Sequence, residues 1–113
     1  MDGKKVINYI VDIDGVLCSN DKPFDFSDEF VHPQQEMIDI VNGLYDDGNR
    51  IIIETGRGGT SGVDWKEQTL TQLYRWGVKY HEIHFVVKRI PYMRIDDCAC
   101  SPKEFMEKHN EKK

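Results

Sequence analysis

The segment Ile7-Asn8-Tyr9-Ile10-Val11-Asp12-Ile13-Asp14-Gly15-Val16 limits what this chain can become more than any other stretch. A short run of Ile, Val and Tyr reads as a buried strand, about Val6 to Asp12, and Asp-x-Asp-Gly at its end reads as the turn that leaves it. Ligands of open α/β sheets bind at the carboxyl ends of the strands. If the extended conformation persists through the pair, Asp12 and Asp14 point to the same side. Two carboxylates so close resist joint ionisation unless a cation or a shared proton compensates. The pair therefore asks for a divalent metal, a shared proton, or both.

The rest of the chain alternates in the same style. A polar stretch from Cys18 to Val31 reads as a loop. Pro33 suits the first turn of a helix, and Met37, Ile38, Val41, Leu44 and Tyr45 recur at helical spacing until Asp47-Gly48-Asn49. Ile51-Ile52-Ile53 is too short for a helix and reads as a central strand, ending at Glu54-Thr55 before the glycine-rich segment from Gly56 to Gly62. Asp64 and Glu67 resemble a capping box for a second helix carrying Leu70, Leu73 and Tyr74 and stopped at Gly77. A third strand is expected from Ile83 to Val87, a short fourth at Tyr92-Met93-Arg94-Ile95, and a last helix opening at Pro102 with Phe105 and Met106 buried. The order β-α-β-α-β-β-α implies an α/β fold: a Rossmann-like three-layer sandwich with a mostly parallel central sheet and helices on both faces. With 113 residues, one domain spanning 1–113 is expected.

A net charge of −5 argues against a nucleic-acid binder that works by its overall field, so no nucleic-acid partner is expected. The segment Met1-Asp2-Gly3-Lys4-Lys5 and the strand-length run behind it resemble neither a signal peptide nor a membrane span. Three cysteines, Cys18, Cys98 and Cys100, form no even disulfide framework, and their spacing matches no common zinc site. A cytoplasmic setting with no membrane partner follows as the simplest expectation.

The strand-end rule that places Asp12 at the sheet edge also places Thr55 after the second strand, Lys88 after the third and Asp96-Asp97 after the fourth. Carboxylates, a hydroxyl, an ammonium and glycine-rich backbone suit magnesium-assisted phosphoryl transfer, with carboxylate oxygens on Mg²⁺ and the other donors on phosphate. The segment from Gly56 to Gly62 lacks the Lys-Ser/Thr ending of a P-loop, and the acidic spacing around Gly15 does not match an EF-hand.

In their order, Asp12-Ile-Asp14-Gly15-Val16, Thr55-Gly56-Arg57, Lys88 and Asp96-Asp97 resemble the four motifs of the haloacid dehalogenase (HAD) superfamily, over about Val6 to Phe105. Gly62-Val63-Asp64-Trp65, Gln72-Leu73, Trp76-Gly77-Val78 and Ile95-Asp96-Asp97 further resemble small capless phosphatases of capsule and surface-polysaccharide biosynthesis. The resemblance implies a HAD-like fold without a cap domain and a Mg²⁺-dependent phosphomonoesterase acting on a small sugar or polyol phosphate. It implies Asp12 as nucleophile and Asp14 as general acid and base. Asp12, the backbone carbonyl of Asp14 and Asp96 would be the metal ligands, with Asp97 a water-mediated partner. Thr55, Gly56 and Lys88 would bind phosphate, helped by backbone amides near Ile13 and Gly15. The run Lys88-Arg89-Ile90-Pro91 departs from the usual Lys-Pro, and Val16 from the commoner Thr.

Arg57 has two readings, a contact to an anionic substrate or a structural salt bridge. Without a cap, the site is open unless the loop from Cys18 to Val31, the glycine-rich loop or a second subunit covers it. An exposed Phe24, Phe26 and Phe30 would favour a homo-oligomer. Two other functions stay open: a phosphatase of the same fold acting on nucleotides or nucleic-acid ends, and a non-catalytic phosphate-binding or scaffold module.

Overall fold

A computed structural model describes residues 5–59, 62–86 and 102–111. The elements are β1 (Asn8–Val11), β2 (Cys18–Asn20), β3 (Val31–Pro33), α1 (Gln35–Asp46), β4 (Arg50–Thr55), α2 (Lys66–Arg75), β5 (Glu82–Phe85) and α3 (Pro102–Glu111). Three strands form a parallel sheet in the order β1-β4-β5, with Val11 paired to Ile53 and Thr55 to Phe85. The Ile triplet makes β4 the central strand, and Ile51 and Ile53 are fully buried. This is a Rossmann-like α/β arrangement.

Both crossovers, β1-α1-β4 and β4-α2-β5, step in the same direction across the sheet. Right-handed connections then place α1 and α2 on one face. Asn42 of α1 confirms the adjacency, donating from Nδ2 to the Gly77 carbonyl (2.8 Å) and accepting the Lys79 N–H (2.8 Å) just beyond α2. The third helix joins that face, where Phe105 meets Tyr9 edge-on at 6.0 Å. The core lies between: Val11, Ile13, Leu17, Ile38, Val41, Ile51, Ile53 and Leu73.

Several expectations change here. Among the described residues the helices cover one face, not two, because only a reversal of strand order moves a crossover to the other side. The strand read as buried is accordingly half so: Val11 is buried while its neighbour Ile10, on the other face, is 57% exposed. The stretch read as a loop holds the antiparallel hairpin β2–β3, pairing Cys18 with Pro33 and Asn20 with Val31. Pro33 therefore ends a strand rather than opening a helix, and α1 starts two residues later. The capping box does not form; Asp64 accepts the Lys66 N–H at 3.0 Å instead. On α2, Leu73 is buried, but Leu70 and Tyr74 are exposed, and Thr69 and Gln72 take their place inside. The expected fourth strand, Tyr92 to Ile95, lies outside the described residues. Among the described residues, no helix is long and apolar enough to cross a membrane.

Candidate functional site

The three parallel strands end together, so the chain leaves β1, β4 and β5 along one edge. At the end of β1 the extended backbone stops at Val11, earlier than the spacing argument for Asp12 and Asp14 requires. A tight turn replaces it. The Ile13 carbonyl accepts the N–H groups of Val16 (3.1 Å), Leu17 (2.8 Å) and Cys18 (3.2 Å), and Gly15 donates its own N–H to the Cys18 carbonyl (2.8 Å). Gly15 sits at φ +86°, in the left-handed region where glycine is unstrained. Its amide is thus engaged within the turn rather than offered to a phosphate. Asp12 is half-buried and accepts the Ile13 N–H at 2.7 Å on Oδ1, which engages the Ile13 amide in the same way.

The end of β4 meets this turn through Arg57. Its guanidinium binds Asp14 as a fork, Nε donating to Oδ2 (3.0 Å) and Nη2 to Oδ1 (3.0 Å). Nη1 donates to Thr69 Oγ1 (3.1 Å) and Gln72 Oε1 (2.6 Å), and Nη2 also reaches Cys18 Sγ at 3.8 Å. A guanidinium has five N–H donors, and these five contacts use them all. The Phe26 ring stacks over the group at 4.7 Å. The side chain has no solvent exposure. Of the two readings of Arg57, the geometry gives the salt bridge; no donor remains for a substrate.

Asp14 keeps capacity of its own. Among the described residues, Oδ1 carries two bonds, from Arg57 and from the Cys18 thiol (3.4 Å), whereas Oδ2 carries one. Its side chain remains 27% exposed. Burial first, and then the negative charge of Asp14, push the Cys18 thiol up to about 12. Cys18 is therefore a neutral thiol whose single S–H faces two acceptors, the Asp14 carboxylate and the Ile13 carbonyl (3.6 Å). Nothing in the spacing of cysteines signals this part. The adjacency of Cys18 to the turn was the one available hint.

Thr55 is fully buried, and its hydroxyl accepts the Arg57 N–H at 3.3 Å. A hydroxyl that accepts there still has its own O–H to donate. Gly56 opens the turn that follows, its carbonyl accepting the Gly59 N–H at 3.0 Å. Gly58 is the glycine that this turn requires: φ is +81°, and a Cβ there would lie 2.3 Å from the Val63 carbonyl oxygen. Lys88, Asp96 and Asp97 lie outside the described residues. Among the described residues, no three His, Cys, Asp or Glu side chains cluster closely enough to hold a metal.

The hairpin loop closes one side of this arrangement. Phe26 packs edge-on against Trp65 at 5.4 Å, and Asp28 is gripped from α2 by Gln72 Nε2 (3.0 Å) and Arg75 Nη1 (2.7 Å). Of the three phenylalanines whose exposure would favour a homo-oligomer, Phe24 is 64% exposed, whereas Phe26 and Phe30 are half-buried.

The fold and this edge define a Rossmann-like α/β protein with a buried arginine–carboxylate pair where β1 and β4 end. No family model matches the chain, and no curated protein matches it. Among solved structures it is similar to the crystal structure of an MCSG target from Vibrio cholerae. The two are 27% identical with a TM-score of 0.70, over 96% of this chain and 100% of that one. The likeness runs through the whole domain rather than one motif.

Proposed function

We propose that this chain is a HAD-type phosphomonoesterase, assisted by Mg²⁺, that hydrolyses a small sugar or polyol phosphate through an aspartyl-phosphate intermediate. The observation that supports it most is the forked contact between Asp14 and Arg57. It joins the Asp-x-Asp-Gly turn to the Thr55-Gly-Arg57 segment, 43 residues apart, at the carboxyl edge of a parallel sheet. Motifs that resemble a family in order alone would have no reason to meet in this way.

The donor set suits a hard, oxygen-loving cation. Asp12 would contribute a carboxylate oxygen. Asp14 would contribute its backbone carbonyl, since Arg57 holds its carboxylate. Asp96 would complete the protein ligands, with Asp97 acting through water. Bound there, Mg²⁺ supplies charge stabilisation to the phosphoryl group.

Asp12 attacks phosphorus, forming a bond to its carboxylate oxygen as the ester P–O bond breaks. Asp14 enters the cycle with a proton on Oδ2, Oδ1 keeping its bonds to Arg57 and Cys18, and delivers that proton to the departing alkoxide. A water then attacks the aspartyl phosphate, Asp14 takes its proton, and phosphate leaves with Asp12 restored. Thr55, Gly56 and Lys88 hold the phosphate oxygens. Arg57 fixes the plane of Asp14 throughout and touches no substrate.

The test is phosphate release from a panel of sugar, polyol and nucleotide monophosphates, with and without Mg²⁺, by wild type and Asp12→Asn. Metal-dependent release that the variant loses supports the reading, and the preferred substrate decides between sugar and nucleotide. Binding of the same compounds without turnover would replace the enzyme reading with a phosphate-binding module.

A further inference from the structure

The buried face of α2 carries a residue that the mechanism above does not use. Gln72 is 1% exposed, and all its polar capacity faces two directions. Toward the sheet edge, Oε1 accepts Arg57 Nη1 at 2.6 Å. Toward the hairpin, Nε2 donates to the Phe26 carbonyl at 2.7 Å and to Asp28 Oδ1 at 3.0 Å. One amide thus links the partner of Asp14 to the loop between β2 and β3.

Among the described residues the loop is tied to the rest of the fold through Phe26, Asp21 and Asp28: the Phe26 ring packs on Trp65 and Arg57, Asp21 Oδ2 meets His32 Nε2 of β3 (2.7 Å), and Asp28 is held from α2. Internal bonds such as Asp21 N–H to the Phe30 carbonyl (2.9 Å) and Phe30 N–H to the Ser27 carbonyl (3.0 Å) shape it. The contacts to Asp28 come from one stripe of α2: Gln68, Gln72 and Arg75, spaced four and three residues apart, all reach it. Of the three, only Gln72 also touches the Arg57 side. The Phe26 ring follows its own carbonyl onto the guanidinium.

We propose that Gln72 is a positioning residue that couples the hairpin loop to the Asp14–Arg57 pair, so that loop placement and carboxylate orientation are set together. The coupling gives a capless site a local cover whose seating is sensed at the acid. Its kinetic readout rests on the phosphatase reading, whereas the coupling itself does not.

Two substitutions separate the two ends of the amide. Gln72→Glu keeps an oxygen acceptor for Arg57 but replaces the donor facing Phe26 and Asp28 with a repelling carboxylate oxygen. Gln72→Leu removes both ends. Asp28→Ala loosens the loop with Gln72 intact and serves if Gln72→Glu fails to fold. Hydrogen exchange of the 21–30 amides and the NMR signal of Arg57 Nε–H are read together. In Gln72→Glu and Asp28→Ala the loop amides are expected to exchange at least ~10-fold faster while β1 and β4 amides stay protected, and the Arg57 Nε–H signal, still present, shifts or broadens because the loosened loop is sensed at the pair. In Gln72→Leu the Arg57 signal is lost as well. With the best phosphomonoester, Gln72→Glu raises KM and lowers kcat, and Gln72→Leu lowers kcat further. Unchanged loop exchange in both loosening variants overturns the proposal, and so does a loosened loop with the Arg57 signal at its wild-type position. Acceleration spread evenly over β1, β4 and α1 also overturns it, since Gln72 would then be only a general stabiliser. Exchange and the Arg57 signal together decide the coupling even if wild type releases no phosphate, a result that would overturn the phosphatase reading alone.

Discussion

Arg57 shows what a single residue can fix. Its guanidinium lies inside the protein, its five donors making five contacts to Asp14, Thr69, Gln72 and Cys18. Removing one side of a buried ion pair destabilises far more than the pair's net worth, because the other side stays buried and uncompensated. Asp14 is partly exposed, which moderates the effect. Arg57→Met should therefore lower unfolding free energy by about 2–4 kcal/mol in urea titrations. Arg57→Lys should recover little of it, since an ammonium cannot reproduce the fork. Cys18 provides a second check. Its thiol is raised from 9.0 to about 12 in the folded protein, so the unfolded chain loses that proton first as pH rises. Its contribution to stability is complete below pH 9.0 and declines as pH climbs through about 12. Mass spectrometry of the Cys18 peptide should show negligible alkylation by iodoacetamide at pH 8 in native protein and full alkylation in urea. The sequence offered Arg57 with two readings and could not choose, because the choice depends on Thr69 and Gln72, which lie 12 and 15 residues away. Asp12 and Asp14 were legible because a strand ending in Asp-x-Asp-Gly is a local signal. The turn after the strand was legible from the same residues, but its hydrogen bonding was not, since three N–H groups converging on the Ile13 carbonyl leave no pattern in composition.

At the scale of elements, α2 is the instructive case. Helical spacing picks out Leu70, Leu73 and Tyr74 as its inner stripe, yet the helix buries Thr69, Gln72 and Leu73. Periodicity assumes that a buried face is apolar; here the face packs on a guanidinium and must supply acceptors. Leu73→Ala should lower stability by about 2–4 kcal/mol, while Leu70→Ala and Tyr74→Ala should each stay within roughly 0.5 kcal/mol by thermal or urea unfolding. The opposite result would mean that the α2 stripe faces the other way. The turn after β4 makes a similar point with backbone. Gly58→Ala places a methyl group against the Val63 carbonyl at a left-handed φ, so the turn must rearrange. A loss of about 1–3 kcal/mol is expected, with faster exchange at the Gly62 amide, which donates to the Gly58 carbonyl at 3.0 Å. By contrast, α1 was readable almost to its ends. Met37, Ile38 and Val41 are buried as spaced, and Gly48 at φ +93° stops the helix where Asp-Gly-Asn predicts.

For the whole molecule, strand order governs both the site and the stability. Stepping β1-β4-β5 in one direction brings three strand ends to one edge and the two crossover helices, α1 and α2, to one face. The alternation of strands and helices made the parallel sheet legible. The one-sided cover was not, because it depends on which neighbour each crossover selects. This layout separates function from scaffold. The carboxylate–arginine pair lies at the strand ends, whereas α3 returns the far end of the chain to β1, where Phe105 meets Tyr9 across 6.0 Å. That contact joins residues almost a full chain apart, so it forms late in loop-closure terms and rewards the closure of the whole domain. Phe105 is only half-buried, which sets its value below that of a central aromatic. Phe105→Ala should lower unfolding free energy by about 1–3 kcal/mol. On the phosphatase proposal, kcat with the best phosphomonoester should match wild type at temperatures where the variant stays folded, because no atom at the carboxyl edge has changed. A fall in kcat without loss of stability would mean that α3 supports the site directly, and the division between edge and scaffold would have to be redrawn.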